Sequence, residues 1–314
     1  LHRVLIKRAL RAIPLLLRIA LRTFGMVHAL PGGPIDFLTL FAGVDPETEM
    51  EIRAEYGLDQ PVYIQYIDWV TSAATGDFGR SIITRDPVIS EIMERLPYTL
   101  VMGIMAFGVT LATAIPTGVI AAYYRNTKID QASRVFALLG IAIPNFLLGL
   151  LLLLVFASWL DLFPILPPTS QGIVSYDMLV YTLLPAITIG TGSTALLMRL
   201  MRSSMVEELD KDYVRTARAK GLPERTVVQK HVLRNSLISV VTVAAIQVAF
   251  IISGSVVVEI VFSYPGIGRL LVNRVGNRDF PVIQAIVLLI GVAVILANFV
   301  ADVLYAYLDP RIRY

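Results

Sequence analysis

Apolar and polar stretches alternate along the chain in a way that predicts its elements before any motif does. A first apolar run follows the basic start His2, Arg3, Lys7, Arg8 and Arg11 and reaches Leu30. Five more lie at roughly Leu100 to Ala122, Val135 to Leu160, Met178 to Met198, Leu237 to Val258 and Phe280 to Ala301. About 20 apolar residues in a helix cross the hydrocarbon core of a bilayer, so each run suffices for one crossing. Six transmembrane helices are expected, with both termini on the same side of the membrane. The basic start also resembles a signal peptide, but no small-residue cleavage pattern leads into a soluble domain, and an uncleaved first helix is expected.

The polar stretches have helical periodicity of their own. In residues 31–97, Pro31-Gly32-Gly33-Pro34 ends the first crossing, and Asp45-Pro46-Glu47 supplies an N-cap, a first-turn proline and a first-turn acid for a helix running to Gly57. Ile64, Ile67 and Val70 predict a second helix over Pro61 to Ala73. Ile89, Ile92, Met93 and Leu96 predict a third, started by Asp86-Pro87, that feeds the second crossing. Between the fourth and fifth crossings lies the other large polar stretch, Met201 to Asn235. Gly221 and Pro223 at its centre predict a helix, a sharp break and a second helix, because glycine closes a helix in the left-handed conformation and proline opens the next.

Composition agrees with the pattern. The 314 residues are 56% hydrophobic and 16% charged, with mean hydropathy +0.70, which excludes a soluble domain and fits an all-α integral membrane protein. Cysteine is absent, which excludes disulfides and thiolate metal sites, and His2, His28 and His231 lie far apart, so no metal site is expected. Nothing points to nucleic acid.

Charge distribution orients the chain. Arg125, Lys128 and Arg134, the basic stretch 201–235, and the tail with Arg311 and Arg313 all fall on the side of the N-terminus, which the positive-inside rule makes cytoplasmic. The loop with Asp161 and Asp177 falls outside. So does the first half of the 31–97 insertion, where Asp36, Asp45, Glu47, Glu49, Glu51, Glu55, Asp59 and Asp68 face only Arg53. One segment runs against the rule: Arg269, Arg274 and Arg278 follow the fifth crossing and belong outside. Inside the first run, Lys7, Arg11, Arg18 and Arg22 share one stripe. An arginine near mid-membrane costs roughly 2.5–3.5 kcal/mol, so this stripe either snorkels and packs on partner helices or faces a water-filled path.

The stretch from Val258 to Arg269 is apolar but broken by Pro265-Gly266 and Gly268, which predicts a turn or a short re-entrant hairpin near the outer mouth of a pathway. Glu259 at its start is a candidate pathway residue. Enzymatic chemistry is scarce: there is no phosphate-binding loop of the G-x-x-x-x-G-K-[ST] type and no H-E-x-x-H. Gly190-Thr191-Gly192-Ser193 lacks a histidine in a neighbouring crossing to activate the serine and is expected to serve close helix packing. Asp302 is expected at the interface or paired with the basic tail.

The basic stretch also carries a resemblance. Asp212-Tyr-Val-Arg-Thr-Ala-Arg-Ala-Lys-Gly221-Leu, with His231-Val-Leu-Arg-Asn235 after it, resembles the EAA loop of ABC-importer permeases, in the form typical of the dipeptide, oligopeptide and nickel family. Arg215-Thr216-Ala217 stands where Glu-Ala-Ala would be, and His231-Val232-Leu233-Arg234 where Ile-x-Leu-Pro would be. Gly76-Asp-Phe-Gly-Arg-Ser81, Arg95-Leu-Pro97, Ile143-Pro-Asn-Phe146, Glu259 to Gly268, Arg278-Asp-Phe-Pro281 and Leu308-Asp-Pro-Arg311 look like further landmarks of that family, in its order. Arg18 and Arg22 depart from it, since relatives usually keep the first helix apolar.

The resemblance implies a type I ABC importer permease fold in the inner (plasma) membrane of a bacterium or archaeon. It divides the chain into a basic N-terminus and first helix (1–30), an extracytoplasmic helical insertion (31–97), and a core of five helices (98–314) with a cytoplasmic coupling loop (201–235). It implies a non-catalytic subunit that pairs with a homologous second permease as a heterodimer. Two ATPase subunits, which would carry ATP and Mg, lie beneath, and a substrate-binding protein docks outside. No cofactor is expected on this chain. Tyr213, Arg215, Thr216, Ala217, Arg218, Lys220, Gly221, Arg225 and His231 are the expected ATPase-coupling residues, with membrane lipid as the other partner for the basic side chains. Arg18, Arg22, Asn145, Glu259, Tyr264 and Pro265 are the candidates for the translocation path or its gate. Di- or oligopeptides are the expected cargo, with nickel chelates, glutathione and oligosaccharides as alternatives. A proton-coupled secondary transporter would need several mid-membrane acids and an internal repeat, and beyond Glu259 and Asp302 neither is found.

Overall fold

The computed structural model describes residues 2–29, 46–55, 57–168 and 172–308. Among them every regular element is helical, apart from an isolated bridge between Arg80 and Pro87. Five helices are long and apolar enough to cross a membrane, or six when one sharply bent pair counts as a single span. The chain divides into two compact units, Leu1–Tyr98 with Pro265–Ile295, and Thr99–Tyr264 with Leu296–Tyr314.

The first unit opens with α1 (His2–Ala29). The insertion then supplies α2 (Pro46–Glu55) and α3 (Val62–Ala74). The expected cap Asp45 and the turn Pro31–Pro34 lie outside the described residues. Aromatic side chains join α3 to α1: Phe24 stacks on His28 at 3.9 Å and meets Tyr66 edge-on at 5.4 Å, while His28 shares a hydrogen bond with Gln65 at 3.1 Å. Ala20, Phe24 and Val27 form the buried face of α1, and Arg11, Arg18 and Arg22 project from its opposite, exposed side. Phe78, Val88, Ile92, Ile267, Val282 and Ile286 make the apolar core of this unit.

The third predicted helix of the insertion and the second crossing are a single element, α4 (Val88–Tyr123). It passes through Pro97 without a break and carries the chain into the second unit. There the central element is α7 (Tyr176–Leu209), started by the Ser175 hydroxyl accepting from the Met178 amide at 3.3 Å. Small residues let neighbours approach it closely. A Cβ on Gly118 of α4 would lie 2.7 Å from the Cβ of Met201, and one on Gly190 would lie 3.0 Å from the carbonyl of Ala106. Thr110 donates to the Gly190 carbonyl at 3.2 Å, and the Ser193 hydroxyl accepts from Gln247 at 3.3 Å. Close packing is therefore what the Gly190–Ser193 stretch does.

Two expectations about the elements need correction. The run from Val135 to Leu160 is not one straight helix: α5 (Lys128–Ala142) and α6 (Asn145–Leu152, extended as a π-helical stretch Leu153–Trp159) meet at 104°. Pro144 lacks an amide hydrogen and drives Ile143 to extended backbone (φ −81°, ψ 121°), which ends α5 there. The stretch after the fifth crossing is more than a turn. It leaves α9 (Leu233–Val261) at Phe262, takes φ 52° at Ser263, and forms the short helix α10 (Ile267–Gly276) before α11 (Phe280–Leu308). The tail beyond Leu308, with Arg311 and Arg313, lies outside the described residues, so the expected pairing of Asp302 with that tail does too.

Candidate functional site

The basic stretch between α7 and α9 folds as an elbow. Its first arm is α8 (Asp212–Ala219), and its second begins after Pro223 with Glu224–Thr226 and a π-helical stretch Val227–Val232 that runs into α9 without a break. At the corner Gly221 takes φ 77°. Its amide donates to the Arg218 carbonyl at 2.9 Å and the Leu222 amide to the Ala217 carbonyl at 3.4 Å, the pair of bonds that satisfies the last carbonyls of a helix closed by a left-handed residue. Pro223, with φ −56°, then starts the second arm.

Periodicity sorts the residues of α8. Val214 is fully buried and Ala217 is 7% exposed. Both pack in the apolar cluster of α7 and α9 that includes Met201, Met205, Val228 and Val232. The small side chain of Ala217 thus serves close contact within this chain. Arg215, Thr216, Arg218, Lys220, Gly221 and Arg225 are exposed on the other side, and His231 is half-buried.

Polar contacts fix the angle of the elbow. Arg218 grips Glu224 across the corner with two bonds, at 3.0 and 2.7 Å. Tyr213 donates to Glu208 at the end of α7 and accepts from Asn235 at the start of α9 at 3.1 Å, so one phenol links both spans. Burial, and then the Glu208 carboxylate beside it, push the Tyr213 phenol above its usual range, which keeps it a neutral donor. Lys211 also bonds Glu208, and Arg215 pairs with Asp212 at 3.2 Å. Lys220 and Arg225 extend the exposed basic surface.

The candidates for the path are spread more widely. Arg18 and Arg22 stand on the exposed side of α1. Asn145 is half-buried at the first residue of α6, its Oδ1 4.0 Å from where a Cβ on Gly192 would sit. Glu259 is fully enclosed near the end of α9 and accepts from the Thr99 hydroxyl at 2.9 Å. Tyr264 is also enclosed, stacked on Tyr181 at 5.8 Å with its hydroxyl 3.1 Å from that of Thr182, while Tyr181 donates to the Phe262 carbonyl. Pro265 is half-buried.

Two polar clusters escaped sequence reasoning. In the first unit Arg274 pairs with Glu91 at 2.7 Å and lies 3.8 Å from Asp279, which accepts from Ser81 at 2.5 Å and from the Ile82 amide at 3.2 Å. These two acids offset one of the arginines that ran against the positive-inside rule. In the second unit Asp130 lies between two arginines. Only Asp130–Arg134, four residues apart, and Arg274–Asp279, five apart, were near in the sequence; Asp130–Arg202, Glu91–Arg274 and Ser81–Asp279 are 72, 183 and 198 residues apart.

Known proteins resemble the chain along its whole length. Residues 114–314 match the family described as binding-protein-dependent transport system inner membrane component, and residues 1–103 match the N-terminal family of such membrane components. A putative peptide transport system permease protein of Brucella abortus is 40% identical over 99% of this chain and 99% of its own length. The glutathione transport system permease protein GsiC of Escherichia coli K12 is 43% identical over 98% of each. The crystal structure of an amino acid ABC transporter with histidines shares the fold, with TM-score 0.52 and 12% identity over 70% of this chain and 94% of that one. Its apolar helices, its elbow between α7 and α9 and these full-length matches make the chain a member of the binding-protein-dependent transport system inner membrane component family, the permease subunits of ABC importers.

Proposed function

We propose that this chain is a non-catalytic half-channel of a peptide importer and that its elbow receives the motion of an ATPase. The single observation that carries this reading is the exposed basic side of α8, held at a fixed angle by Tyr213 and Arg218 on an elbow continuous with two membrane spans. Lys220 and Arg225 leave that surface basic beyond the internal pairs of Arg215 and Arg218, and a partner pressing on it would turn α7 and α9 together. In this reading a homologous permease completes the path as a heterodimer, two ATPase subunits hold ATP and Mg beneath, and a substrate-binding protein delivers cargo from outside. The termini and the elbow lie in the cytoplasm, and the helical insertion lies outside. When the ATPases close on ATP, each elbow moves as a rigid piece and the paired permeases rock from one access to the other.

Arg215, Thr216, Lys220 and Arg225 then contact the ATPase or lipid phosphates, Ala217 supports α8 from behind, and Tyr213, Arg218, Gly221 and His231 hold the shape. Arg18, Arg22, Asn145 and Pro265 line or border the path, with the enclosed Glu259 and Tyr264 bracing the gate. The names of the Brucella and Escherichia relatives support peptides, glutathione included, as the class of cargo. The test is reconstitution with the neighbouring subunits in liposomes. ATP-dependent uptake of peptides delivered by the binding protein is expected, and a chain that transports without ATPase subunits would overturn the reading. Within the same system, Arg22→Leu is expected to lower uptake of acidic peptides relative to basic ones.

A further inference from the structure

We propose that Asp130 is a positioning residue that fastens the α4–α5 corner to the end of α7 that carries the elbow, so that movement of the elbow reaches α5 as well as α7 and α9. Asp130 sits in the first turn of α5 and is fully buried. Its carboxylate takes two bonds from Arg202 of α7, at 2.5 and 2.8 Å, two from Arg134 one turn along α5, at 3.2 and 2.8 Å, and one from the Asn126 amide at 3.0 Å. A carboxylate offers about four lone-pair directions, so this one has no acceptor capacity left for water or lipid.

Arg202 lies seven residues before the end of α7, where Glu208 engages Lys211 and Tyr213 of the elbow. A second, exposed tie runs alongside, from Arg125 in the α4–α5 corner to Asp210 at 3.2 Å. The exposed pair is screened by water and yields readily. The buried one differs, because a planar guanidinium bonded through two nitrogens to one carboxylate fixes rotation as well as distance. Higher on α5, Gly140 meets Ala195 and Thr191 of α7, where an added Cβ would come within 3.2 Å of the Ala195 side chain. The helix is thus held along its length and locked at its end. Breaking one partner of such a group leaves charge buried without compensation, and a joint that existed for stability alone would be served as well by apolar packing.

This inference rests on the elbow's role proposed above, and the experiment separates the two. The chain has no cysteine, so the exposed pair Gln131→Cys on α5 and Gln229→Cys on the second arm reports one distance by spin labelling in the assembled complex. A single narrow distance, the same with and without ATP and vanadate, is expected in the otherwise unchanged protein. Asp130→Asn should widen that distribution by about twofold and lower peptide uptake per ATP by about tenfold, a split between hydrolysis and uptake that a purely structural loss would not produce. Arg202→Lys keeps the charge and loses the fork; it should behave alike and stands in if Asp130→Asn fails to assemble. Unchanged width and unchanged uptake per ATP in the assembling variant overturn the proposal. If instead the ATPases never engage the elbow, the elbow's role fails, while the distance without nucleotide still decides whether Asp130 is the joint.

Discussion

At Gly221 the backbone takes φ 77° in open surroundings, where an added Cβ would meet no atom within 4 Å. The cost of a substitution there is torsional and not steric, roughly 1–2 kcal/mol for a residue with a Cβ in the left-handed region, and more for a β-branched one. Gly221→Val is therefore expected to reset the elbow angle without unfolding the protein, leaving ATP hydrolysis in the assembled complex while uptake falls. Asn tolerates the left-handed region, so Gly221→Asn should retain most of the uptake. Comparing the two variants by uptake per ATP checks this, since two equal losses would mean that the corner's conformation is not what matters. The sequence made this residue legible because Gly-x-Pro is a local signal. It could not show that Arg218, which looked available to an outside partner, spends its guanidinium on Glu224.

Among the elements, α7 carries the second unit, and what holds its neighbours against it is the absence of side chains as much as their presence. Gly118 faces Met201 and the Met198 carbonyl, both in the buried core, so Gly118→Ala must push α4 and α7 apart and should cost about 1–3 kcal/mol as overpacking does. Gly108→Ala on the same helix meets nothing and should be neutral or stabilising by up to about 1 kcal/mol through helix propensity. Thermal unfolding of the two variants in detergent gives the comparison, and equal shifts would contradict the packing argument. The six apolar runs were readable because length and hydropathy are properties of a segment. The 104° corner at Pro144 was not, although Ile143-Pro144 stood in the sequence: a proline marks where a helix stops, and the direction taken afterwards depends on what α6 packs against.

For the molecule as a whole, the first unit gathers Pro265–Ile295 with the first 98 residues, and a buried carboxylate stands at that junction within the unit. Burial pushes the Asp279 carboxyl up, against the opposing pull of Ser81, the Ile82 amide and Arg274. The folded state therefore holds its proton more readily than the unfolded chain. The stability this adds is full below the ordinary aspartate value of about 4 and is lost as pH rises through the folded value. The margin of the natural protein over Asp279→Asn should shrink as pH is raised across that window, measured by melting temperatures of both. A margin that grows with pH would show the carboxylate to be stabilised in its charged form.

Two kinds of information meet in this protein. Segment-scale properties were set by the sequence alone: which stretches are apolar enough to cross a membrane, where a basic elbow breaks at Gly221 and Pro223, and which landmarks mark the family, since each depends on residues within a few turns of one another. Tertiary structure decided which charges meet. Glu91 with Arg274, Ser81 with Asp279 and Asp130 with Arg202 lie 183, 198 and 72 residues apart, and no local pattern encodes such a pairing. Inside the protein a buried charge is expensive unless it is matched, and these distant pairings fix the corners between helices, because a buried partner left unmatched has no water to turn to.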